Sequence, residues 1–407
     1  MFFKRILDLY FNTRVYLDYA SSTPLDRKML RTIPKLNSRY LGANPSALHK
    51  EGVALKRVLS DARNLVAKTL GAHADEIIFT SNATESDNLA IRGFISQVIT
   101  QGISPDSIAL YVSPFEHAAI SESVAHVDPR VRVCGLVQED GYVLENTITI
   151  PEGVNIVLVS VMYVQNEVGT VQPIKAIAKR IRKLRKEYPE KTIVFHVDAT
   201  QAPLYYDLDV ARLGVDMMTL GATKLYCPKG VGVLYKRRSI KLSPIIYGGG
   251  QEFGLRPGTE PVENIHVFAH SLAYAQDHYE EAQQNTTVLR DYFEIKMKET
   301  LPNIRITGKD GSNTADGRWR TPHITHIVIP DFDSELLVLE LDARGFAVSS
   351  KSACKNETVG ESILLTLLYP HESVGAIRIS YGRMTTKRQL DRLIKALARI
   401  MKKYAKK

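Results

Sequence analysis

Cysteine is scarce in this chain: three among 407 residues, Cys134, Cys227 and Cys354, far apart and odd in number. Such a set makes no disulfide framework, and no Cys-x-x-Cys pair offers a zinc site. A reducing compartment suits it, with any of the three thiols free to work. Long hydrophobic runs are missing too. No stretch approaches the roughly 18 apolar residues that a membrane span needs. The opening segment MFFKRILDLYFNTRV has too short an apolar stretch, and too many charges within it, for a secretory signal. Asp8 and the segment's brevity argue against a mitochondrial presequence. These absences predict a cytoplasmic protein with no membrane partner and no metal site. Repeats and low-complexity linkers are absent as well.

What is present is ordinary globular composition, 44% apolar and 24% charged, in a length comfortable for two domains. The net charge is +9, from 53 basic and 44 acidic residues. Much of that excess sits at the end. Residues 392–407 hold seven basic residues and no acid, with Leu393, Ile394, Leu397, Ile400, Met401 and Tyr404 at helical spacing. This reads as a last helix with a solvated basic face, or as a dock for tRNA or an acidic carrier protein. With nothing else supporting it, direct nucleic-acid binding is not expected.

Short β-rich runs alternate with helical patterns, which predicts an α/β domain with a mainly parallel sheet. The strand candidates are EIIFT, SIALYVS, VRVCGLV, NIVLVSVMYV, TIVFHVD, DMMTLGA and GVGVLYKR. The first clear helix carries the stripe Leu55, Val58, Leu59, Ala62, Leu65 and Val66 and stops at Gly71. A surface helix turns Ile174, Ile177, Ile181 and Leu184 inward and its basic residues outward. After about residue 263 the pattern changes to one long helical stretch, 263–300, followed by short strands IRITG, THIVIP, FAVSS and AIRISYG. We therefore expect a large domain at 15–262 and a smaller α+β domain at 263–407 that packs with residues 1–25.

Open α/β sheets bind ligands beyond the carboxyl ends of their strands. Asp198 stands where a buried apolar strand stops, and a carboxylate there needs a cation or a turn to cap. A pyridinium nitrogen is one such cation. Lys224 follows the next apolar run, where it is either solvated or an amine poised for a Schiff base. In FTSNATESDNLAI a strand ends and a helix begins near Thr84, giving an ordinary cap or a phosphate site made of free backbone N–H groups.

The ordered motifs YLDYASSTP, NPSALHKEG, FTSNATESDNLA, SPFEHAAI, QNEVGTVQPI, FHVDATQ, GATKLYCPKGVGVLY, GGGQEFGLRPGTEP, VSSKSAC and IRISYGR span nearly the whole chain. In them the sequence resembles the NifS/IscS group of cysteine desulfurases, class V aminotransferases of the fold-type I pyridoxal-phosphate (PLP) enzymes. The resemblance implies a large domain with a seven-stranded-type sheet and a smaller α+β domain. It implies that Lys224 holds PLP, that Asp198 pairs with the pyridine nitrogen and that Gln201 meets the ring hydroxyl. His117 would stack on the ring and move protons. Ala83, Thr84 and Thr223 would hold the phosphate, and Thr259 would reach that of a neighbouring subunit in a homodimer. Asn166 and Arg378 would fix the carboxylate of L-cysteine. Cys354, on a polar loop between Lys351 and Lys355, would be the thiol that takes up sulfur as a persulfide and passes it to an iron–sulfur scaffold or a tRNA-thiolation enzyme.

The sequence departs from that pattern at several points. Gly221 and Thr223 stand where the family usually has Ser and His, and Phe253 stands in place of an arginine. Lys351 occupies a usual glycine, and the chain is short after Arg383. A selenocysteine lyase, another class V reaction, or a low-activity assembly subunit are the alternative readings.

Overall fold

The computed structural model describes residues 14–40, 42–308, 319–350, 367–369 and 374–404. The chain divides into two compact units: Met1–Thr23 with Asn166–Thr170 and Glu280–Lys407, and Pro24–Gln165 with Val171–Tyr279.

The larger unit is built on a seven-stranded sheet. Its strands are β1 (Ile77–Thr80), β2 (Ile108–Val112), β3 (Arg132–Gly135), β4 (Ile156–Met162), β5 (Thr192–Asp198), β6 (Met217–Gly221) and β7 (Gly232–Lys236), one from each expected run. The spatial order is β1-β7-β6-β5-β4-β2-β3. Only β7 runs antiparallel to its neighbours, β6 and β1. All seven residues of β4 are buried, and so is β5 from Ile193 onward. Helices cover both faces of such a strand, which is why it reads as a continuous apolar run.

Among those helices, α1 (Lys50–Leu70) buries Leu55, Leu59, Ala62 and Val66. It ends at Gly71, whose φ of 66° is the left-handed conformation that glycine adopts without strain. Helix α2 (Ala83–Asn88) runs through a π-helical turn, Leu89–Gly93, into Phe94–Thr100. Next come α3 (Ala118–Ala125) and α4 (Ile174–Glu187), whose buried residues are Ile174, Ile177, Ala178, Ile181 and Leu184. The stretch expected as one helix after residue 263 is two, α5 (Val262–Asp277) and α6 (Tyr279–Thr300). His278 interrupts them with φ −130°. Helix α5 groups with the larger unit, so the boundary falls at 279/280, where the change of sequence pattern suggested 262/263.

The smaller unit pairs β8 (Arg305–Ile306), β9 (Ile324–Pro330) and β10 (Val374–Ser380) in one antiparallel sheet. A two-residue strand, Val15–Tyr16, runs parallel to Phe346–Ala347. Phe293 and Met297 of α6, Leu337 and Leu341 of α7 (Ser334–Asp342), and Leu393, Leu397 and Ile400 of α8 (Lys387–Tyr404) share one core with Val15 and Leu17.

Candidate active site

In the larger unit, chemistry collects where parallel strands end. Strands β5 and β6 lie in parallel register with Thr219 opposite Asp198. Asp198 is buried, and its Oδ1 accepts from the Thr200 amide at 2.9 Å and the Thr200 hydroxyl at 2.6 Å. Lys224 closes a single 3₁₀ turn, Ala222–Lys224, directly after β6, and is half-buried. Gln201 is buried close behind Asp198, and Thr223 is half-buried beside Lys224.

The start of α2 comes down onto the same strand ends because two glycines let it. A Cβ on Gly232 would lie 2.4 Å from the backbone of Asn82. One on Gly221 would lie 3.1 Å from the Ala83 Cβ and 3.6 Å from both the Ala83 nitrogen and the Thr200 methyl. This close packing gives Gly221 a structural reason. Asn82 caps α2 by accepting from the Glu85 amide at 2.9 Å, so the helix begins at Ala83, one residue earlier than expected. Glu85 in turn accepts from the Ser81 amide at 2.7 Å and pairs with Arg256 at 3.3 Å. Thr84 is exposed at this N-terminus.

His117 is the N-cap of α3. Its Nδ1 accepts from the Ala119 amide at 3.1 Å, so that nitrogen is unprotonated and a proton exchanged by the ring enters and leaves at Nε2. Thr259 is exposed on the loop 247–261. In that loop Glu252 and Phe253 both take positive φ, 48° and 60°. Two hydrogen bonds from Arg63 to the Glu252 carboxylate, at 2.7 and 2.5 Å, hold the turn.

Sequence reasoning missed a polar cluster in the same unit. His196 is fully buried, with Nδ1 2.9 Å from the Ser160 hydroxyl and Nε2 3.1 Å from the Thr219 hydroxyl. Burial pushes it down to about 3, so the ring is neutral. Asp87 Oδ1 lies 3.8 Å from His196 Nε2 and, like Glu116 Oε2, is buried without a hydrogen bond. Burial, and then the charge of Asp198, hold the Asp87 carboxyl well above the usual carboxylate range. Burial does the same for Glu116, again with Asp198 adding to it. The available signal was the spacing of His196 and Asp198: two apart on one strand, they share a face.

The smaller unit brings Arg378 and Asn166 together. Arg378 is 2% exposed; one terminal nitrogen donates to the Asn166 carbonyl at 2.7 Å. The other donates to Asp18 at 2.8 Å and the Ser21 hydroxyl at 2.5 Å, and Nε is buried without a partner. The two prongs expected to grip a carboxylate are thus already engaged, one by the Asn166 carbonyl and the other by Asp18, a residue the sequence did not single out. Ser349 exchanges backbone hydrogen bonds with Arg378, at 3.3 and 2.6 Å, which pins the chain five residues before Cys354. Cys354 itself, with Lys351 and Lys355, lies outside the described residues. Of the other thiols, Cys227 is buried and burial pushes it up to about 12, which suits an inert core residue.

Residues 15–393 match the family described as Aminotransferase class-V. Over 394 residues the chain is 33% identical to the cysteine desulfurase IscS of Dictyoglomus turgidum, covering 96% of this chain and 95% of that one. The chain belongs to the class-V aminotransferases, in the NifS/IscS cysteine desulfurase group. Cysteine desulfurase 1 of Trichormus variabilis is 34% identical over 397 residues, covering 96% and 93%. Among solved structures, a NifS-like protein from Rickettsia africae superposes with a TM-score of 0.80 at 27% identity, covering 96% of this chain and 99% of that one. SspA in complex with cysteine gives 0.70 at 29% identity, covering 90% and 98%. Fold and family therefore agree with the expectation from the motifs. Among the described residues no helix is long and apolar enough to cross a membrane, and no three candidate ligands gather for a metal.

Proposed function

We propose that this protein is a PLP-dependent cysteine desulfurase, which converts L-cysteine to L-alanine and leaves the sulfur as a persulfide on Cys354. The observation that carries the reading is the position of Asp198 as the last residue of β5 and of Lys224 just past the adjoining parallel strand β6, with Thr219 and Asp198 in register. The residues present fit PLP. Asp198 is a buried carboxylate at the end of its strand, suited to accept from a protonated ring nitrogen, and the start of α2 beside Gly221 offers backbone N–H groups to a phosphate. When bound, PLP supplies an electron sink for the pair left at the substrate Cα.

In this reading Lys224 carries the cofactor and takes the Cα proton at Nζ. Asp198 keeps the ring nitrogen charged, Gln201 meets the ring hydroxyl, and Ala83, Thr84 and Thr223 hold the phosphate. His117 stacks on the ring and moves a proton at Nε2. Arg378, aided by Asn166, binds the substrate carboxylate by exchanging Asp18 for it. The Cys354 thiolate attacks the substrate sulfur; the new S–S bond forms as the substrate Cβ–S bond breaks, and the carbon product is protonated and leaves as alanine. Thr259 completes the phosphate site of a second subunit in a homodimer. The acceptor of sulfur is an iron–sulfur scaffold or a tRNA-thiolation enzyme.

The test is to load the protein with PLP, add L-cysteine and a reductant, and measure sulfide and alanine together. We expect equal amounts of both, lost in Lys224→Ala and in Cys354→Ala. Turnover that survives Cys354→Ala would sink the persulfide step. Failure of the wild type to bind PLP or make either product would leave the assembly-subunit reading.

A further inference from the structure

Helix α4 divides its cations into two sets. Arg180 and Arg185 are half-buried and spend their guanidinium groups on the carbonyls of Ile148 and Ile193, at 2.6 to 3.0 Å, and Arg185 also pairs with Asp216. Lys175, Lys179, Arg182, Lys183 and Lys186 are all exposed, and none of the five has a hydrogen-bond or ion-pair partner among the described residues. At about 100° per residue these five fall within roughly 100° of arc, opposite Ile177, Ile181 and Leu184, and their Cα atoms cover about 16 Å of axis.

Like charges at i,i+3 and i,i+4 repel, and the five residues make five such pairs. Lys175 also sits in the first turn, where the helix dipole disfavours a cation. No acidic residue of α4 lies nearer than Glu187 at its end to relieve this. The line of charge is thus locally unfavourable in the free protein and is relieved by a polyanion. No large exposed apolar side chain lies on α4. A protein partner would need an apolar anchor at the centre of its contact, and lysine is depleted there, whereas a phosphate backbone asks only for cations.

We propose that the outward face of α4 docks the phosphate backbone of folded RNA. The choice of RNA among polyanions rests on the sulfur-transfer reading, in which an enzyme that thiolates tRNA is one acceptor of the sulfur. The stripe carries no aromatic side chain to stack on bases, so it reads the backbone without sequence preference. Nucleic acid was not expected from the basic terminal helix alone; the exposure and lack of partners along α4 add a second basic face.

The experiment uses the full-length PLP-loaded protein and a labelled, unmodified transfer RNA transcript in fluorescence anisotropy. Five phosphate contacts predict a log–log salt slope of about −3.5 to −4.5, hence a loss of affinity on the order of 100- to 500-fold between about 50 and 200 mM salt. A Lys179→Glu, Arg182→Glu, Lys186→Glu triple variant should lose at least roughly tenfold at the lower salt. Its circular dichroism and sulfide release should be unchanged, since all three side chains are exposed and none belongs to the catalytic set. Lys395→Glu with Arg399→Glu on α8 should have the smaller effect. The proposal is overturned by absence of binding at low salt, by an α8 variant that costs as much as the α4 variant, or by equally tight binding of duplex DNA or poly-aspartate. Sulfide release with no RNA binding would remove this inference and leave the desulfurase reading intact; RNA binding without sulfide release would do the reverse.

Discussion

At Gly232 a single methyl group separates the observed site from a displaced one. Its Cβ would sit 2.4 Å from the carbonyl of Asn82, the residue that caps α2. Gly232→Ala should therefore cost about 1–3 kcal/mol, seen as a lower thermal midpoint, and should weaken PLP by moving the amides of α2. Asp87 gives a second residue-scale test, with its sign set by burial. Its folded pKa is raised, so the folded protein keeps a proton that the unfolded chain gives up above the ordinary carboxylate value of about 3.9. Its contribution favours folding at low pH and is lost as pH rises beyond that value. Asp87→Asn, which is neutral at every pH, should gain on the wild type as pH rises above about 4 in melting experiments. A difference that does not change with pH would mean that Asp87 is not held protonated.

At the scale of elements, the loop 247–261 and helix α1 are joined by the Arg63–Glu252 pair. The Glu252 side chain is fully buried and also accepts from the Phe79 amide at 2.8 Å. The Arg63 guanidinium lies over the rings of Phe79 and Phe253, at 4.8 and 5.3 Å. Removing the arginine strands a buried carboxylate, so Arg63→Ala should destabilise by about 3–5 kcal/mol in chemical denaturation. The same pair holds Glu252 and Phe253 in their left-handed backbone conformation, which neither side chain favours. Phe253, which departs from the family's arginine, thus gains a role as one face of the stack on Arg63.

At the scale of the whole molecule, residues 15–17 are folded with segments more than 300 residues further along. Val15 and Tyr16 pair with Phe346 and Ala347, the Leu17 carbonyl accepts from the Ser380 amide at 2.8 Å, and Leu17 is wholly buried in the core of the smaller unit. Leu17→Ala should cost about 2–5 kcal/mol and make the segments after Glu280 the first to be cut in limited proteolysis, although they lie far along the sequence. Early cuts in the larger unit instead would contradict this placement.

The sequence by itself determined what depends on neighbours along the chain. Seven apolar runs became the seven strands of the sheet; six of them are buried along nearly their whole length, because a strand buried on both faces must be apolar throughout, while β3 at the edge is mostly exposed. The inward stripes of α1 and α4 and the stop at Gly71 follow from helical period and from the conformational freedom of glycine. Asp198 and Lys224 were legible because ligands meet α/β sheets at strand ends, and the motif order carried the family. Only the tertiary structure decided what depends on residues far apart. It set Asp87, Glu116 and His196 into one buried polar cluster, engaged Arg378 with Asp18, and gave Gly221 and Glu252 their reasons. Each arises from contacts between segments whose separation in sequence carries no periodic trace, since burial and charge compensation are settled by whichever side chains the fold places face to face.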